Sequence, residues 1–404
     1  MRTTTKKPII FHIDFDSYFA SVARLKYPLL KGKPIAICKS KSHAIAVSIS
    51  YELKNTKLVR VGMKKEEIKR LVPETVFVDV DMDLCISTSN SIFGFLGRKY
   101  TENIHISSID ECFLDVTNLV YKTKVSPKFL ARQIQQEILR VFDIPITIGI
   151  SHNKFLAKMT TNISKPFGIG FTNEANFKDQ FFHLPIGEFH GIGWRSAPKL
   201  ESMGLKTIGD LYKASTNMLL MQTLFGKYAE TILKNLQPYY YENIQHHEEQ
   251  LQGLGNEITF EDYYMDEEIK IKYFDDLIKK VSGRAIKHNL VGNVVSVLIR
   301  TKEKKWFTKQ HKISKYINTY EDLHRVAFDL FDKHFSDKEY IGIGVRISGL
   351  RDVFDIYIPV PLFQEATEIK KYENLNINFA NIGVTKNVNK EKSKFTLQGS
   401  LYRK

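Results

Sequence analysis

The chain has 404 residues, of which 43% are hydrophobic and 26% are charged, an ordinary composition for a folded soluble protein. Its length exceeds what one hydrophobic core usually holds, so we expect several domains. The net charge of +14 favours a polyanionic partner, with nucleic acid as the first choice and an anionic membrane surface as the second.

The N-terminal apolar run is interrupted by His12, Asp14 and Asp16, so it predicts neither a signal peptide nor a membrane span. Strand and helix patterns then alternate as far as residue 170, which is typical of an α/β or α+β domain. The predicted strands are 8–15, 35–38, 44–50, 75–80, 107–117 and 145–150, and the predicted helices are 17–30, 64–71, 83–101, 127–141 and 153–162. The cysteines form no C-x-x-C pair, so we expect reduced, buried thiols in a cytoplasmic protein.

The rest of the chain changes character twice. Residues 171–240 contain short helical patterns, and the polar stretch 242–252 is typical of a linker. Strand patterns return from residue 253. The predicted elements there are a hairpin of 294–300 with 306–311, a helix over 321–335 and a strand over 341–350, followed by a loosely ordered tail over 371–404.

Two acidic runs stand out. Asp110 and Glu111 interrupt an apolar stretch that has a strand pattern, and Asp14 lies in the N-terminal strand. A single acid in such a place is more often a turn residue or a solvated side chain. An acidic pair within an apolar strand is harder to explain, because burying unpaired charge is costly. Adjacent strand residues point to opposite faces, so both acids reach one site only if the strand ends or bends there. We expect the two strands to lie side by side and to present the three acids to divalent metal ions, since Mg²⁺ prefers oxygen ligands.

These runs carry a family resemblance. The sequence S-I-D-E-C-F-L-D at 108–115 resembles the catalytic motif of the Y-family, or translesion, DNA polymerases. The sequence H-I-D-F-D-S-Y-F-A-S-V at 12–22 is similar to the N-terminal metal motif of that family. The likeness spans roughly residues 8–350 and includes K-G-K-P at 31–34, Tyr51-Glu52, G-I-S-H-N-K-F-L-A-K at 149–158, K-P-F-G at 165–168 and G-N-E-I-T-F at 255–260.

The resemblance implies an α+β multidomain fold, a right-hand polymerase with palm, small fingers, helical thumb and α/β little finger. The implied boundaries are palm 1–16 and 80–170, fingers 17–79, thumb 171–241, linker 242–252, little finger 253–358 and a C-terminal tail 359–404.

It also implies a metal site. Asp14, Asp110 and Glu111 would be the catalytic carboxylates, and the Phe15 carbonyl would be a backbone ligand. They would hold two Mg²⁺ ions, for which Mn²⁺ is a substitute. Glu111 would bind the metal at the primer 3′-OH, whereas Asp115 is expected to bind none.

The nucleotide contacts implied by the family are Phe19, Tyr18, Tyr51, Lys54 and Lys165. Phe19 occupies the steric-gate position, where a ring excludes a ribose 2′-OH, although its spacing alone favours a helix core position. Lys165 would contact the triphosphate, although an isolated lysine is more often solvated.

The sequence departs from the family at two of these positions. Lys54 stands where the family usually has Arg, which keeps the charge and loses the bidentate fork. Ala23 stands where the family often has Glu, and no consequence follows from the sequence.

A helix–hairpin–helix pattern surrounds Gly191 and Gly193, whose backbone N–H groups could meet a DNA phosphate. An ordinary capping turn is the alternative for a single G-x-G.

In the C-terminal domain, residues 281–320 hold nine Lys or Arg side chains and one acid, Glu303. This excess of positive charge predicts a DNA-binding sheet, and a merely solvated face is the alternative. The DNA-contact candidates there are Arg300, Lys302, Lys304, Lys305 and Arg346.

Residues 359–363 end in Leu362 and Phe363 and resemble the peptide by which bacterial relatives bind the sliding clamp. Pro359 replaces the usual leading Gln, and an ordinary linker is the alternative.

The resemblance therefore predicts a monomeric, low-fidelity translesion DNA polymerase that acts on primer–template DNA and dNTPs, without a membrane partner. A catalytically silent DNA-binding protein with the same fold is the main alternative. Another two-metal enzyme, such as a nuclease or a nucleotidyl cyclase, is the second.

Overall fold

The computed structural model describes residues 6–39, 44–242, 251–260 and 265–355, which divide into two compact units on either side of residue 247. The central residues of the predicted linker, 243–250, lie outside the described residues, as does the tail from residue 356 with Leu362 and Phe363. Among the residues described, no helix is both long enough and apolar enough to cross a membrane.

The first unit contains eight strands and twelve α-helices among its described residues. The strands are β1 (Ile10–Phe15), β2 (Ile35–Ile37), β3 (Ser48–Ile49), β4 (Val76–Val78), β5 (Ile104–Ser108), β6 (Glu111–Asp115), β7 (Ile146–Ser151) and β8 (Ile169–Phe171). The helices are α1 (Tyr18–Lys26), α2 (Tyr51–Lys54), α3 (Lys65–Leu71), α4 (Met82–Lys99), α5 (Thr117–Thr123), α6 (Pro127–Phe142), α7 (Lys154–Ser164), α8 (Phe177–Phe181), α9 (Ala197–Ser202), α10 (Ile208–Ala214), α11 (Met218–Phe225) and α12 (Ala229–Asn235).

The main sheet of this unit has the strand order β5-β6-β1-β7-β8. Strand β1 lies at the centre, antiparallel to both β6 and β7, and all six of its residues are buried. A strand that is covered on both faces needs no alternation of apolar and polar residues, which explains its continuous apolar run. Helices α4 and α6 contribute Ile92, Leu96, Ile134 and Ile138 to the core beneath it.

The predicted strand over 107–117 is wrong at its centre, because the chain turns back there to form the hairpin of β5 and β6. Ile109 and Asp110 form the turn, and the Ser108 hydroxyl donates to Asp110 Oδ1 at 2.6 Å. Short polar side chains that bond to nearby groups favour a turn over a continued strand. The predicted strand over 44–50 is also shorter, since only Ser48 and Ile49 pair with β2.

A smaller sheet with the order β3-β2-β4 lies between α1 and α4 in sequence. It has its own core, to which Ala36, Ile49, Leu53, Ile68 and Val72 contribute.

Residues 177–236 form a helical cluster, as predicted. Phe177, Phe181 and Phe189 lie in its core, together with Leu156 and Met159 of α7. The cluster is thus packed on the same helix that covers the main sheet.

The second unit contains β9 (Gly253–Thr259), α13 (Glu267–Lys287), β10 (Leu290–Arg300), β11 (Trp306–Ile317), α14 (Tyr320–Phe335), β12 (Gly342–Ser348) and β13 (Arg351–Asp352). Its sheet is antiparallel with the order β11-β10-β12-β9, and the predicted hairpin is confirmed as β10 and β11. Helices α13 and α14 cover one face, where Val295, Val297, Ile299, Val345 and Ile347 are fully buried. The opposite face carries Ser296, Arg300 and Arg346, together with the apolar Val294 and Leu298.

Candidate active site

Three acidic residues lie near one another at the ends of two paired strands of the main sheet. Asp14 near the end of β1 lies directly opposite Glu111 at the start of β6, so the prediction that these strands are neighbours is confirmed. Asp110 occupies the adjoining turn, and its carbonyl accepts a hydrogen bond of 2.8 Å from the Phe15 N–H. The turn removes the difficulty of alternating faces, because Asp110 is not constrained by a strand pleat.

Two lysines neutralise the negative charge at these strand ends. Lys165 Nζ lies 2.6 Å from Asp14 Oδ1, and Lys158 Nζ lies 2.5 Å from Glu111 Oε2. Burial raises the pKa of Asp14 to about 6, against the attraction of Lys165, and the charges of Asp110 and Glu111 raise it further. Burial also disfavours the Glu111 charge, but His12 and Lys158 hold the pKa of that carboxyl well below its usual range.

The imidazole of His12 is fully buried beside Glu111. Its Nε2 lies 3.6 Å from Glu111 Oε2, which is longer than a hydrogen bond, while Nδ1 is 2.9 Å from Thr161 Oγ1. Burial lowers the pKa of His12 to about 4, so the ring is neutral at physiological pH.

The donor set fits a divalent cation. The mutual repulsion of the three carboxylates is relieved by positive charge, and oxygen ligands on strand and turn suit a hard ion. In the arrangement described, however, no three His, Cys, Asp or Glu side chains are grouped closely enough to hold a metal, within the ranges that the structure covers. Instead, the ammonium groups of Lys165 and Lys158 form ion pairs with Asp14 and Glu111. The metal-ligand roles of Asp14, Phe15, Asp110 and Glu111 therefore stay predictions.

Asp16 is a residue of this site that sequence reasoning missed. It is 2% exposed, and its carboxylate accepts hydrogen bonds from Thr147 Oγ1 at 2.9 Å, from the Phe167 N–H at 2.8 Å and from the Tyr51 hydroxyl at 3.3 Å. Burial raises its pKa, although these donors favour the charged form. The available signal was its position two residues after Asp14, directly after a buried strand, since a buried acid needs partners.

Asp16→Ala is expected to lower the free energy of unfolding by about 2–3 kcal/mol, because it leaves buried donors without an acceptor. Denaturant unfolding of the purified protein measures this. Asp16→Asn keeps one acceptor oxygen and should lose less than the alanine variant. An alanine variant as stable as the parent would contradict the positioning role.

Three of the residues predicted to bind a nucleotide, Tyr51, Lys54 and Lys165, lie at these strand ends. Tyr51 reaches Asp16, Lys165 reaches Asp14, and Lys54 Nζ lies 3.1 Å from Ser17 Oγ. The Lys54 ammonium also lies 4.4 Å from the centre of the Tyr51 ring. Four segments that are far apart in sequence thus place two cations and a phenol beside the acids.

The adjacent aromatic residues of α1 have different environments. Tyr18 is 3% exposed, its ring lies in the core beside Phe15, and its hydroxyl donates to the Cys85 carbonyl at 2.6 Å. Phe19 is half-buried and borders a cavity of about 360 Å³ that Ala23 also lines. Ala23, one of the two departures from the family pattern, is thus among the residues that line this cavity. The nucleotide contacts of Tyr18 and Phe19 stay predictions.

In the helical cluster, Gly191 and Gly193 form an open turn before α9. Gly191 has φ +104°, a conformation that favours glycine, and nothing lies within 4 Å of where a Cβ would stand on either residue. Backbone at this turn can therefore approach a ligand closely.

In the second unit, strand register places Arg300 and Arg346 on the polar face of the sheet. Arg346 is opposite Ser296, which lies four residues before Arg300 in β10 and therefore on the same face of the sheet. The guanidinium of Arg300 donates to Thr259 Oγ1 at 2.8 Å and lies 5.8 Å from the Trp306 ring centre. Three of the predicted DNA-contact lysines lie instead in the turn between β10 and β11, namely Lys302, Lys304 and Lys305. Lys302 pairs with Glu339 at 2.5 Å.

Two family models match the chain and together cover more than half of it. Residues 13–162 match the impB/mucB/samB family, and residues 252–355 match the C-terminal domain of that family.

Individual proteins are similar over most of the chain. The DNA polymerase IV of Bacillus velezensis is 31% identical over 368 residues, which cover 90% of this chain and 87% of the relative. Among solved structures, a Y-family DNA polymerase chimera of Dbh and Dpo4 has a TM-score of 0.74 and 28% identity, and covers 85% of this chain and 99% of its own. An insertion ternary complex of Dbh DNA polymerase has a TM-score of 0.60 and 27% identity, with coverages of 84% and 98%.

Proposed function

The chain belongs to the impB/mucB/samB family and is a DNA-directed DNA polymerase of the Y family, and from this membership we propose that it extends primers across damaged templates by two-metal nucleotidyl transfer. The observation that carries the proposal is that Asp14, Asp110, Glu111 and Lys165 lie together at one end of the paired strands β1 and β6. Phosphoryl transfer needs this combination of clustered carboxylates and phosphate-binding cations.

In the proposed reaction, the primer 3′-OH attacks the α-phosphate of a dNTP and pyrophosphate leaves. Asp14, Asp110 and Glu111, with the Phe15 carbonyl, would hold two Mg²⁺ ions, and Mn²⁺ is a substitute. When bound, the metals activate the hydroxyl and neutralise the leaving phosphates. Lys165 now pairs with Asp14, so its ammonium is within reach of both the carboxylates and a triphosphate placed beside them.

The proposed triphosphate contacts are Tyr51, Lys54 and Lys165, and Phe19 is proposed as the steric gate. Asp16 supports this group without touching the nucleotide, because it binds Tyr51 and the Phe167 N–H, two residues after Lys165.

We assign the domains accordingly. Residues 1–16 and 80–170 act as palm, 17–79 as fingers, 171–241 as thumb, 242–252 as linker and 253–358 as little finger. The thumb turn at Gly191 and Gly193 and the polar sheet face with Arg300 and Arg346 are proposed to bind the DNA backbone. Both surfaces offer donors without base-specific geometry, which suits a polymerase that acts on any sequence.

The role in damage tolerance is tested by primer extension on templates that carry a small panel of lesions, with an undamaged template as control. We expect full-length products past at least one lesion that blocks a high-fidelity polymerase. Addition of a sliding clamp tests residues 359–363 in the same assay, because a clamp that binds them should lengthen the products.

The alternatives give different products. A silent DNA-binding protein shifts labelled primer–template in a gel but adds no nucleotide, and a nuclease shortens the primer when dNTPs are withheld. Either result would overturn the proposed polymerase reaction.

Lys54→Arg is expected to lower the KM for dNTP by about threefold to tenfold, or roughly 1 kcal/mol, because guanidinium offers phosphate a bidentate fork. Steady-state single-nucleotide incorporation measures the KM. Lys69→Arg makes the same chemical change on the exposed surface of α3 and should leave the KM unchanged. Equal KM values for the parent and Lys54→Arg would remove Lys54 from the triphosphate contacts.

A further inference from the structure

Trp194 is 80% exposed and lies directly after the open turn of Gly191 and Gly193. A tryptophan buries 150–250 Å² when it is packed in a core, so leaving this ring in water forgoes a large apolar contact. Single exposed apolar residues are common, and exposure by itself assigns no role.

The surroundings of the ring point to a ligand class. The guanidinium of Arg195 lies 5.0 Å from the centre of the Trp194 ring and provides a positive charge beside the exposed indole. Between residues 191 and 206 the sequence contains one acid, Glu201, and three basic residues, Arg195, Lys199 and Lys206. The ring is therefore an exposed apolar surface beside the Arg195 guanidinium, in a basic stretch of sequence and next to backbone that a partner can approach closely. An anionic partner with flat apolar surfaces matches this combination.

We propose that Trp194 packs against the sugar and base edges of duplex DNA, next to the phosphate that meets the 191–193 turn, while Arg195 pairs with a neighbouring phosphate. This inference rests on the proposed role of the turn in DNA binding. The thumb would then bind DNA through an aromatic side chain, in addition to its backbone N–H groups and its basic side chains. Packing against the outer edge of the duplex is less costly than insertion between base pairs, because unstacking a step costs a few kcal/mol.

The two side chains should contribute differently to affinity. Contact of the indole with sugars releases no counterions, so its strength should not depend on salt concentration. A phosphate contact releases about one counterion, which appears as a slope of about −0.9 in a plot of log affinity against log salt.

The chain contains only two tryptophans, and Trp306→Phe leaves Trp194 as the sole tryptophan reporter in the full-length protein. Primer–template is titrated into this variant without dNTPs, while anisotropy of labelled DNA reports binding and indole fluorescence reports the ring. We expect fluorescence to change in step with anisotropy. Binding of duplex with constant fluorescence would overturn the contact, and so would a change seen only with single-stranded DNA. If the parent protein binds no DNA in the anisotropy assay either, the proposed function fails as well.

Affinity measurements complete the test. Trp194→Ala should bind primer–template about tenfold more weakly, which corresponds to about 1.4 kcal/mol, with an unchanged salt slope. Arg195→Ala should weaken binding and reduce the magnitude of the slope by about one. Met203→Ala removes another exposed apolar side chain, just after α9, and serves as the matched control. A Trp194→Ala protein that binds as Met203→Ala does would refute the contact.

Discussion

Asp110→Ala is expected to abolish primer extension, with a loss of at least about a thousandfold, or roughly 4 kcal/mol of transition-state stabilisation. The variant should remain folded, because Asp110 lies in a turn and its carboxylate accepts a hydrogen bond from its close neighbour Ser108. Single-turnover incorporation with Mg²⁺ and saturating dNTP measures the loss, and circular dichroism checks the fold.

Asp115→Asn is the matched control. Asp115 is four residues from Glu111 in β6, and its carboxylate accepts a hydrogen bond from the Thr117 N–H at 3.0 Å, which an asparagine oxygen can replace. Its extension rate should stay within about threefold of the parent. Primer extension by Asp110→Ala would contradict the metal assignment. An inactive Asp115→Asn would indicate that the catalytic site includes Asp115, farther along β6.

Phe19→Ala is expected to raise incorporation of ribonucleotides relative to deoxynucleotides by roughly tenfold to a hundredfold, as removal of a steric clash of 1–3 kcal/mol implies. Competing rNTP and dNTP at one template position, with products resolved by gel, measures the ratio. The deoxynucleotide rate should change less than the ratio, because the ring is proposed to exclude the 2′-OH and not to bind the sugar.

Phe19→Tyr keeps a ring at the position and should keep the sugar ratio of the parent. The cavity that Phe19 and Ala23 share sets a limit on the expected effect. A ring with free volume beside it yields more easily than a packed ring, so discrimination by the parent should be modest. An unchanged ratio in Phe19→Ala would refute the gate.

The polymerase fold and the neighbourhood of the acids were predictable, because each depends on local motifs. The strands that hold Asp14 and Glu111 are indeed paired, and the α+β multidomain fold is confirmed by the structural relatives. Helix α13 was not predicted. Its sequence nevertheless contains the signal, because Phe274, Leu277, Ile278 and Val281 keep helical spacing.

Other features could not be read from the sequence. The apolar residues Ile109 and Cys112 on either side of the acidic pair hide the turn in the sequence pattern, and the hydrogen bond from Ser108 to Asp110 is seen only in the structure. Lys158 was part of a matched motif, but its ion pair with Glu111 joins residues on different elements. Such partners are set by tertiary packing, which composition and periodicity do not encode.

The contacts of Asp16 have a consequence for how the protein acquires its site. They join residues separated by 35, 131 and 151 positions along the chain. Closing loops of this length precedes any gain from the contacts, so interactions of high sequence separation form late in folding. We therefore expect the first 140 residues, produced alone, to lack a formed triphosphate pocket, since Thr147 and Phe167 have not yet joined them. Catalytic competence would then arise as a single late event, when β7 and the segment after α7 close on β1.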